Sequence, residues 1–145
     1  MNTLKVIFDI DGTLSNCQHR RYLAEEGDFK SFEYPFNILQ DEPNHTIIDV
    51  LRMFRSQGYP IVITSGRNER AKDVTIEWLK KHNIRYDELY MRGQWDSRPD
   101  HEVKKEFLDK IGKNSVYCVF DDRDSVVKMW REQGLTCFQV AEGNF

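Results

Sequence analysis

The sequence predicts an α/β fold: a three-layer sandwich around a mostly parallel five-stranded sheet. Two observations carry that reading. Short β-branched and aromatic runs alternate with stretches whose apolar residues repeat at helical spacing, and each run stops abruptly at polar or acidic residues. With 145 residues, 39% of them hydrophobic, the chain is expected to form one domain, residues 1–145, around a single core.

The first strand is expected over 4–9, where Val6, Ile7 and Phe8 form a fully buried run ending at Asp9-Ile10-Asp11-Gly12-Thr13. A long connection without a strong period follows, at about 15–44. It holds one short helix around Arg20 to Glu26 and the aromatic residues Phe29, Phe32, Tyr34 and Phe36, which are expected to form a small satellite core rather than a base-stacking platform. A connection of this length reads as a lid or binding loop. A helix then begins at His45 or Thr46, with Ile47, Val50, Leu51 and Phe54 on one face. A second buried strand, 59–64, leads into Ser65-Gly66-Arg67, and a helix over 69–82 places Ala71, Val74 and Trp78 together. A third strand, 88–91, precedes a polar loop from Arg92 to Pro99. The helix over 100–111 aligns Val103, Phe107 and Ile111, and a fourth strand, 115–120, ends in Asp121-Asp122-Arg123-Asp124. A helix starting among those acids carries Val126, Val127 and Trp130 and stops at Gly134. Residues 136–140 supply the last strand. Strands separated by helical crossovers of this length pair in parallel.

Composition narrows the class. No run of 18 apolar residues and no charged-then-apolar leader is seen, so a soluble, cytoplasmic chain with no membrane partner is expected. Cys17, Cys118 and Cys137 are odd in number and far apart, which suits buried free thiols better than disulfides or a zinc site. The four histidines, His19, His45, His82 and His101, have no ligand spacing and read as surface or capping residues. A net charge of -3 argues on its face against a nucleic-acid partner. Once four carboxylates are assigned to a metal site, however, acids and bases nearly balance, leaving room for a basic rim.

The chemistry gathers at strand ends. Asp9 and Asp11, one residue apart, repel each other unless a cation or a shared proton offsets them. Ligands of open α/β sheets bind just outside the carboxyl ends of the strands, where the second strand offers Ser65 and the fourth offers Asp121 and Asp122. Lys104 follows on a helix. Phosphoryl transfer needs a nucleophile, a cation, donors for the equatorial oxygens and a proton source, and each has a candidate here. A carboxylate can attack phosphorus to form an aspartyl-phosphate, and magnesium prefers oxygen ligands such as Asp9 with the 121/122 pair.

In this order, Asp9-Ile-Asp11-Gly-Thr13, Thr64-Ser65, Lys104 and Asp121-Asp122 resemble the four motifs of the haloacid-dehalogenase (HAD) superfamily of phosphohydrolases. That resemblance implies a Rossmann-like sheet with a minimal cap at about 15–44 and an open site able to accept a large substrate. Asp9 would be the nucleophile. Asp11 would protonate the leaving oxygen and later activate water, Ser65 would hold a phosphoryl oxygen, and Lys104 would neutralise charge. Mg2+ would be bound by Asp9, Asp11 and Asp122, with Asp121 completing the catalytic set; the direct ligand among Asp121 and Asp122 stays open. Lys104 is favoured over Lys105, while Arg20 and Arg21 are equally ambiguous.

A narrower resemblance rests on Ser65-Gly66-Arg67, Val103-Lys104, Asp121-Asp122-Arg123, Val126 to Arg131 and the final Gln139 to Phe145. Together these are similar to the phosphatase half of the phage polynucleotide kinase/phosphatase family, which removes 3′-phosphates from nucleic-acid ends. It implies substrate binding at Arg20, Gly66, Arg67, Arg92 and Arg123, residue types whose forks suit phosphate oxygens. The substrate would be a nucleic-acid 3′ end or a nucleotide. No G-x-x-x-x-G-K-[ST] loop occurs in the sequence, so a 5′-kinase half is not expected within it, and a separate kinase or ligase partner stays open. Two other functions compete: a small-molecule phosphatase such as a nucleotidase, and a signalling receiver domain. The receiver is disfavoured because the second strand ends in Thr64-Ser65 with no acid.

Overall fold

The computed structural model describes residues 3–145. A central sheet is formed by β1 (Lys5–Asp9), β4 (Ile61–Asn68), β5 (Glu88–Arg92), β6 (Val116–Asp121) and β7 (Cys137–Gln139), in the order β5-β4-β1-β6-β7. Every pairing is parallel. Its apolar strands are buried on both faces, as the uninterrupted β-branched runs require. On one side Val6, Phe8, Ile61 and Ile63 pack with Ile48 and Leu51 of α4 (His45–Ser56) and with Trp78 and Leu79 of α5 (Lys72–Lys81). On the other, Ile7, Val62 and Val119 pack with α6 (Asp100–Ile111) and α7 (Asp124–Glu132). Across β1, β6 and β7, Phe8 pairs with Phe120 and Phe120 with Phe138, their rings stacked at 4.7 and 5.1 Å. The expected three-layer α/β sandwich is the observed one. The three cysteines are buried and free, and none of the helices among the described residues is long and apolar enough to cross a membrane.

Two strand ends differ from expectation. β4 continues through Ser65-Gly66-Arg67 to Asn68, with an irregular register between Ser65 and Asn68. The chain stays extended there because Asn68 pairs with Arg92 and its N–H is held by the Glu33 carboxylate. α7 starts at Asp124, later than the acidic run suggests, because Asp121 ends β6 and the extended backbone at Arg123 separates it from the helix. Asp124 alone of that run lies in the helical first turn, where a carboxylate suits the partial positive charge of the N-terminus.

The long connection is more structured than its sequence pattern suggests. It forms α1 (Gln18–Glu25), α2 (Phe29–Phe32) and α3 (Pro35–Leu39), bracketed by a two-stranded antiparallel pair, β2 (Ser15–Asn16) and β3 (Glu42–Pro43). Helices this short show no readable period. The aromatic residues do not make the expected satellite core: Phe29, Tyr34 and Phe36 are more than half exposed. The connection is anchored instead by Ile38, which packs with Ala71 and Val74, and by Trp78 Nε1, which donates to the Asp41 carbonyl at 3.0 Å.

Candidate active site

In the sheet order β4, β1 and β6 are neighbours, so Ser65, Asp9 and Asp121 meet at one carboxyl-terminal edge. At that edge Lys104 Nζ, from α6, donates to Asp9 Oδ1 and Asp121 Oδ2, both at 2.8 Å. Lys104 is buried, whereas Lys105 is exposed; the helix turns only one of the adjacent lysines inward. Thr13 Oγ1 donates to Asp9 Oδ2 at 3.0 Å, and the Ser65 hydroxyl accepts from the Arg67 N–H at 3.1 Å.

Asp9, Asp121 and Asp122 offer carboxylate oxygens that all lie within 4.8 Å of one another, and all three residues are buried. Burial first, then the nearby Asp121, raises Asp9 well above the ordinary carboxylate value against the pull of Lys104, and the same causes push Asp122 up to about 6. Asp121 and Asp9 overcome the desolvation of Lys104, so its ammonium is held more firmly than usual. One lysine, with Arg21 reaching Asp122 only at 3.9 Å, leaves three buried carboxylates short of positive charge. That deficit and an all-oxygen donor set fit a hard divalent cation such as Mg2+. Asp121 already accepts from Lys104, from Trp130 Nε1 at 3.2 Å and from the Asp122 N–H at 2.9 Å, which leaves Asp9 and Asp122 the better-placed ligands. Gly12 makes the close approach possible. Its φ is +85°, and a Cβ there would lie 2.0 Å from Asp122 Oδ2.

The Asp11 carboxylate, expected in the metal site, lies outside that cluster and is taken by two arginines. Arg67 donates through Nε at 3.1 Å and a terminal nitrogen at 2.6 Å, and Arg20 donates at 2.7 Å. Burial works to raise Asp11, but Arg67 and Arg20 outweigh it and hold the carboxyl below the usual range. Both arginines are in turn held by buried Asp41, Arg20 at 2.8 and 2.7 Å and Arg67 at 3.3 Å, and Arg20 also donates to the Phe32 carbonyl. Arg20 and Arg67, expected as substrate forks, are therefore about 1% exposed and committed to carboxylates. Arg21, the competing choice, faces Asp122 at 3.9 Å and stacks on the Phe145 ring.

Arg92 and Arg123 converge on one carboxylate. Arg92 donates to Asp100 Oδ1 at 2.5 Å, to the Gly66 carbonyl at 2.8 Å and to the carbonyls of Asp96 and Arg98. Arg123 donates to Asp100 Oδ2 at 2.8 Å and to the Phe145 carbonyl at 2.9 Å. Gly66 acts by its lack of a side chain, since a Cβ there would lie 2.5 Å from Asp100 Oδ1. Sequence reasoning missed Asp41, Asp100 and Glu33. Asp100 looks like an ordinary helix-start acid, and Asp41 and Glu33 sit in a stretch with no period; only their distant partners mark them. His19, read as a surface residue, keeps that exposure but bonds Asp41 Oδ1 at 2.7 Å.

Comparison with known proteins identifies the family and the fold. The profile of the HAD-type polynucleotide kinase PNKP phosphatase domain matches residues 4–145. A protein of Autographa californica nuclear polyhedrosis virus, described as a bifunctional polynucleotide kinase/RNA ligase, is 29% identical over 140 residues, covering 93% of this chain and 19% of the relative. A chain in the Pnkp1/Rnl/Hen1 RNA repair complex superposes with a TM-score of 0.84 at 36% identity, covering 99% of this chain and 44% of that one. The chain thus spans less than half the length of these two relatives. A predicted phosphatase from Clostridium acetobutylicum shares the fold, with a TM-score of 0.72 at 11% identity and coverage of 96% and 85%. The chain belongs to the polynucleotide kinase PNKP phosphatase domain family of the HAD superfamily.

Proposed function

We propose that the chain is a magnesium-dependent phosphomonoesterase that removes the 3′-phosphate from nucleic-acid ends or nucleotides through an aspartyl-phosphate. The observation that carries the reading is Lys104 bridging Asp9 and Asp121 inside a cluster of three buried carboxylates at one sheet edge. The family match and the repair-protein relatives support nucleic-acid ends as the substrate class.

Asp9 would attack phosphorus through a carboxylate oxygen, forming the acyl-phosphate bond as the ester P–O bond breaks. The leaving oxygen takes a proton from Asp11, and Asp11 then accepts one from the water that attacks the acyl-phosphate and frees Asp9. The Arg20 and Arg67 forks keep Asp11 ionised at rest, the form needed for the second step. Its acid form for the first step requires those forks to weaken as a phosphate dianion arrives. Lys104 would balance charge between Asp9 and the phosphoryl group, and Ser65 would donate to a phosphoryl oxygen. Mg2+ held by Asp9 and Asp122 would supply further charge neutralisation. A kinase or ligase partner, on the same chain or a separate one, is a natural companion, because the viral relative is described by those activities.

The test compares hydrolysis of a 3′-phosphorylated oligonucleotide, nucleoside 3′- and 5′-monophosphates and an aryl phosphate, with magnesium and with chelator. Preference for the oligonucleotide or the 3′-nucleotide, lost in chelator and in Asp9→Asn, is expected. Equal turnover of all four substrates would reduce the reading to a general phosphatase, and activity in Asp9→Asn would overturn the mechanism.

A further inference from the structure

Asn68 ends β4 three residues beyond Ser65 and organises three groups that the phosphatase chemistry does not use. Its N–H donates to both carboxylate oxygens of Glu33 at 3.1 Å, so the lid residue just before Tyr34 is pinned to the end of the phosphate-site strand. Its side-chain amide donates to the carbonyls of Gln94 at 2.9 Å and Gly93 at 3.4 Å, pinning the loop residue just before Trp95. Its side-chain oxygen accepts from Arg70 Nε at 3.1 Å. Arg70 is exposed, and no carboxylate pairs with it among the described residues.

Tyr34 is 57% exposed and Trp95 87%, while Trp78 and Trp130 are fully buried. Scattered exposed apolar residues need no explanation, but here one asparagine at the end of the Ser65 strand bonds an exposed guanidinium and anchors the residues that directly precede two large exposed rings. Their chemistry matches unpaired nucleotides: every base has a face that stacks on an aromatic ring, and the backbone carries phosphates for a guanidinium. A duplex end offers its bases already stacked and gives the rings less to bind.

We propose that Tyr34 and Trp95 form a stacking platform, with Arg70 as its phosphate contact, for the single-stranded nucleotides leading to the terminal phosphate. This deepens the reading of the site as a nucleic-acid-end phosphatase and rests on it. The bases bind to the rings irrespective of sequence, and the terminal phosphate is thereby delivered to Asp9.

The two buried tryptophans make Trp95 a selective reporter. Titration of the full chain with a short single-stranded oligodeoxynucleotide ending in a 3′-hydroxyl is expected to quench its fluorescence saturably. An abasic strand of the same charge should bind about tenfold more weakly or worse. Tyr34→Ala should weaken binding about tenfold and Tyr34→Phe should restore it, because the ring and not the hydroxyl stacks. In Trp95→Ala, the ratio of kcat/KM for a 3′-phosphorylated oligonucleotide to that for a nucleoside 3′-monophosphate should fall about tenfold. Equal quenching by the abasic strand, or an unchanged ratio, would overturn the platform. Failure of the underlying reading looks different: the wild-type chain would hydrolyse neither 3′-phosphate with magnesium, whatever the quenching titration reports.

Discussion

Arg67 grips Asp11 with two nitrogens, Nε at 3.1 Å and a terminal nitrogen at 2.6 Å, and reaches past it to Asp41 at 3.3 Å. The second carboxylate of the D-x-D motif is thus oriented by an arginine 56 residues away in sequence. Arg67 also donates to Thr75 Oγ1 at 3.0 Å, so α5 fixes the guanidinium from behind.

Removing Asp41 should be more damaging than its distance from the cluster of Asp9, Asp121 and Asp122 suggests. Asp41→Ala leaves two buried guanidiniums to share the single carboxylate of Asp11, and removing one member of such a buried ion network costs about 3 kcal/mol. Urea unfolding is expected to show that loss. Arg67→Lys, which keeps the charge but forfeits the fork, should lower kcat by about tenfold or more while changing KM less if, as proposed, Asp11 acts on the leaving oxygen and on water.

Lys104 and Lys105 should separate cleanly. Lys104→Met leaves Asp9 and Asp121 facing each other without a cation, so loss of activity is expected together with destabilisation of about 3 kcal/mol in chelator. Lys105→Ala changes an exposed residue and should stay within about 0.5 kcal/mol in thermal melts, with activity retained.

Acidity should stabilise the metal-free protein over a defined window. Asp122 is raised to about 6 from an ordinary 3.8, so the folded state holds its proton more tightly than the unfolded chain. The stability that proton confers is present below about pH 4 and is lost as pH rises to about 6 and above, amounting to about 3 kcal/mol. Asp9, also raised, acts in the same direction. Asp11, held low, acts oppositely, losing its contribution only as pH falls below about 4. Melting in chelator should therefore occur at higher temperature near pH 5 than near pH 7, and saturating magnesium should flatten that difference.

Gly12→Ala should strike the proposed metal site selectively. The new Cβ would need the space of the Asp122 carboxylate and a positive φ, so loss of magnesium-induced stabilisation is expected along with activity. A thermal shift with magnesium that matches wild type would show that Asp122 is not a ligand.

The sequence alone determined the sheet and the identity of the residues at its edge. Buried strands write themselves as continuous β-branched runs, and Asp9, Ser65, Asp121 and Asp122 sit where those runs stop, so strand position carries the site residues with it. Lys104 was legible only through motif order, since a lysine on a helix is ordinarily solvated and Lys105 stands beside it. Only the tertiary structure decided which charges pair. Arg20 and Arg67 belong to Asp11 and Asp41, Arg92 and Arg123 belong to Asp100, and Phe29, Tyr34 and Phe36 face solvent. An ion pair between residues tens of positions apart depends on burial and distance, neither of which has a period, so the partners of Asp11 lay outside any pattern the chain could display.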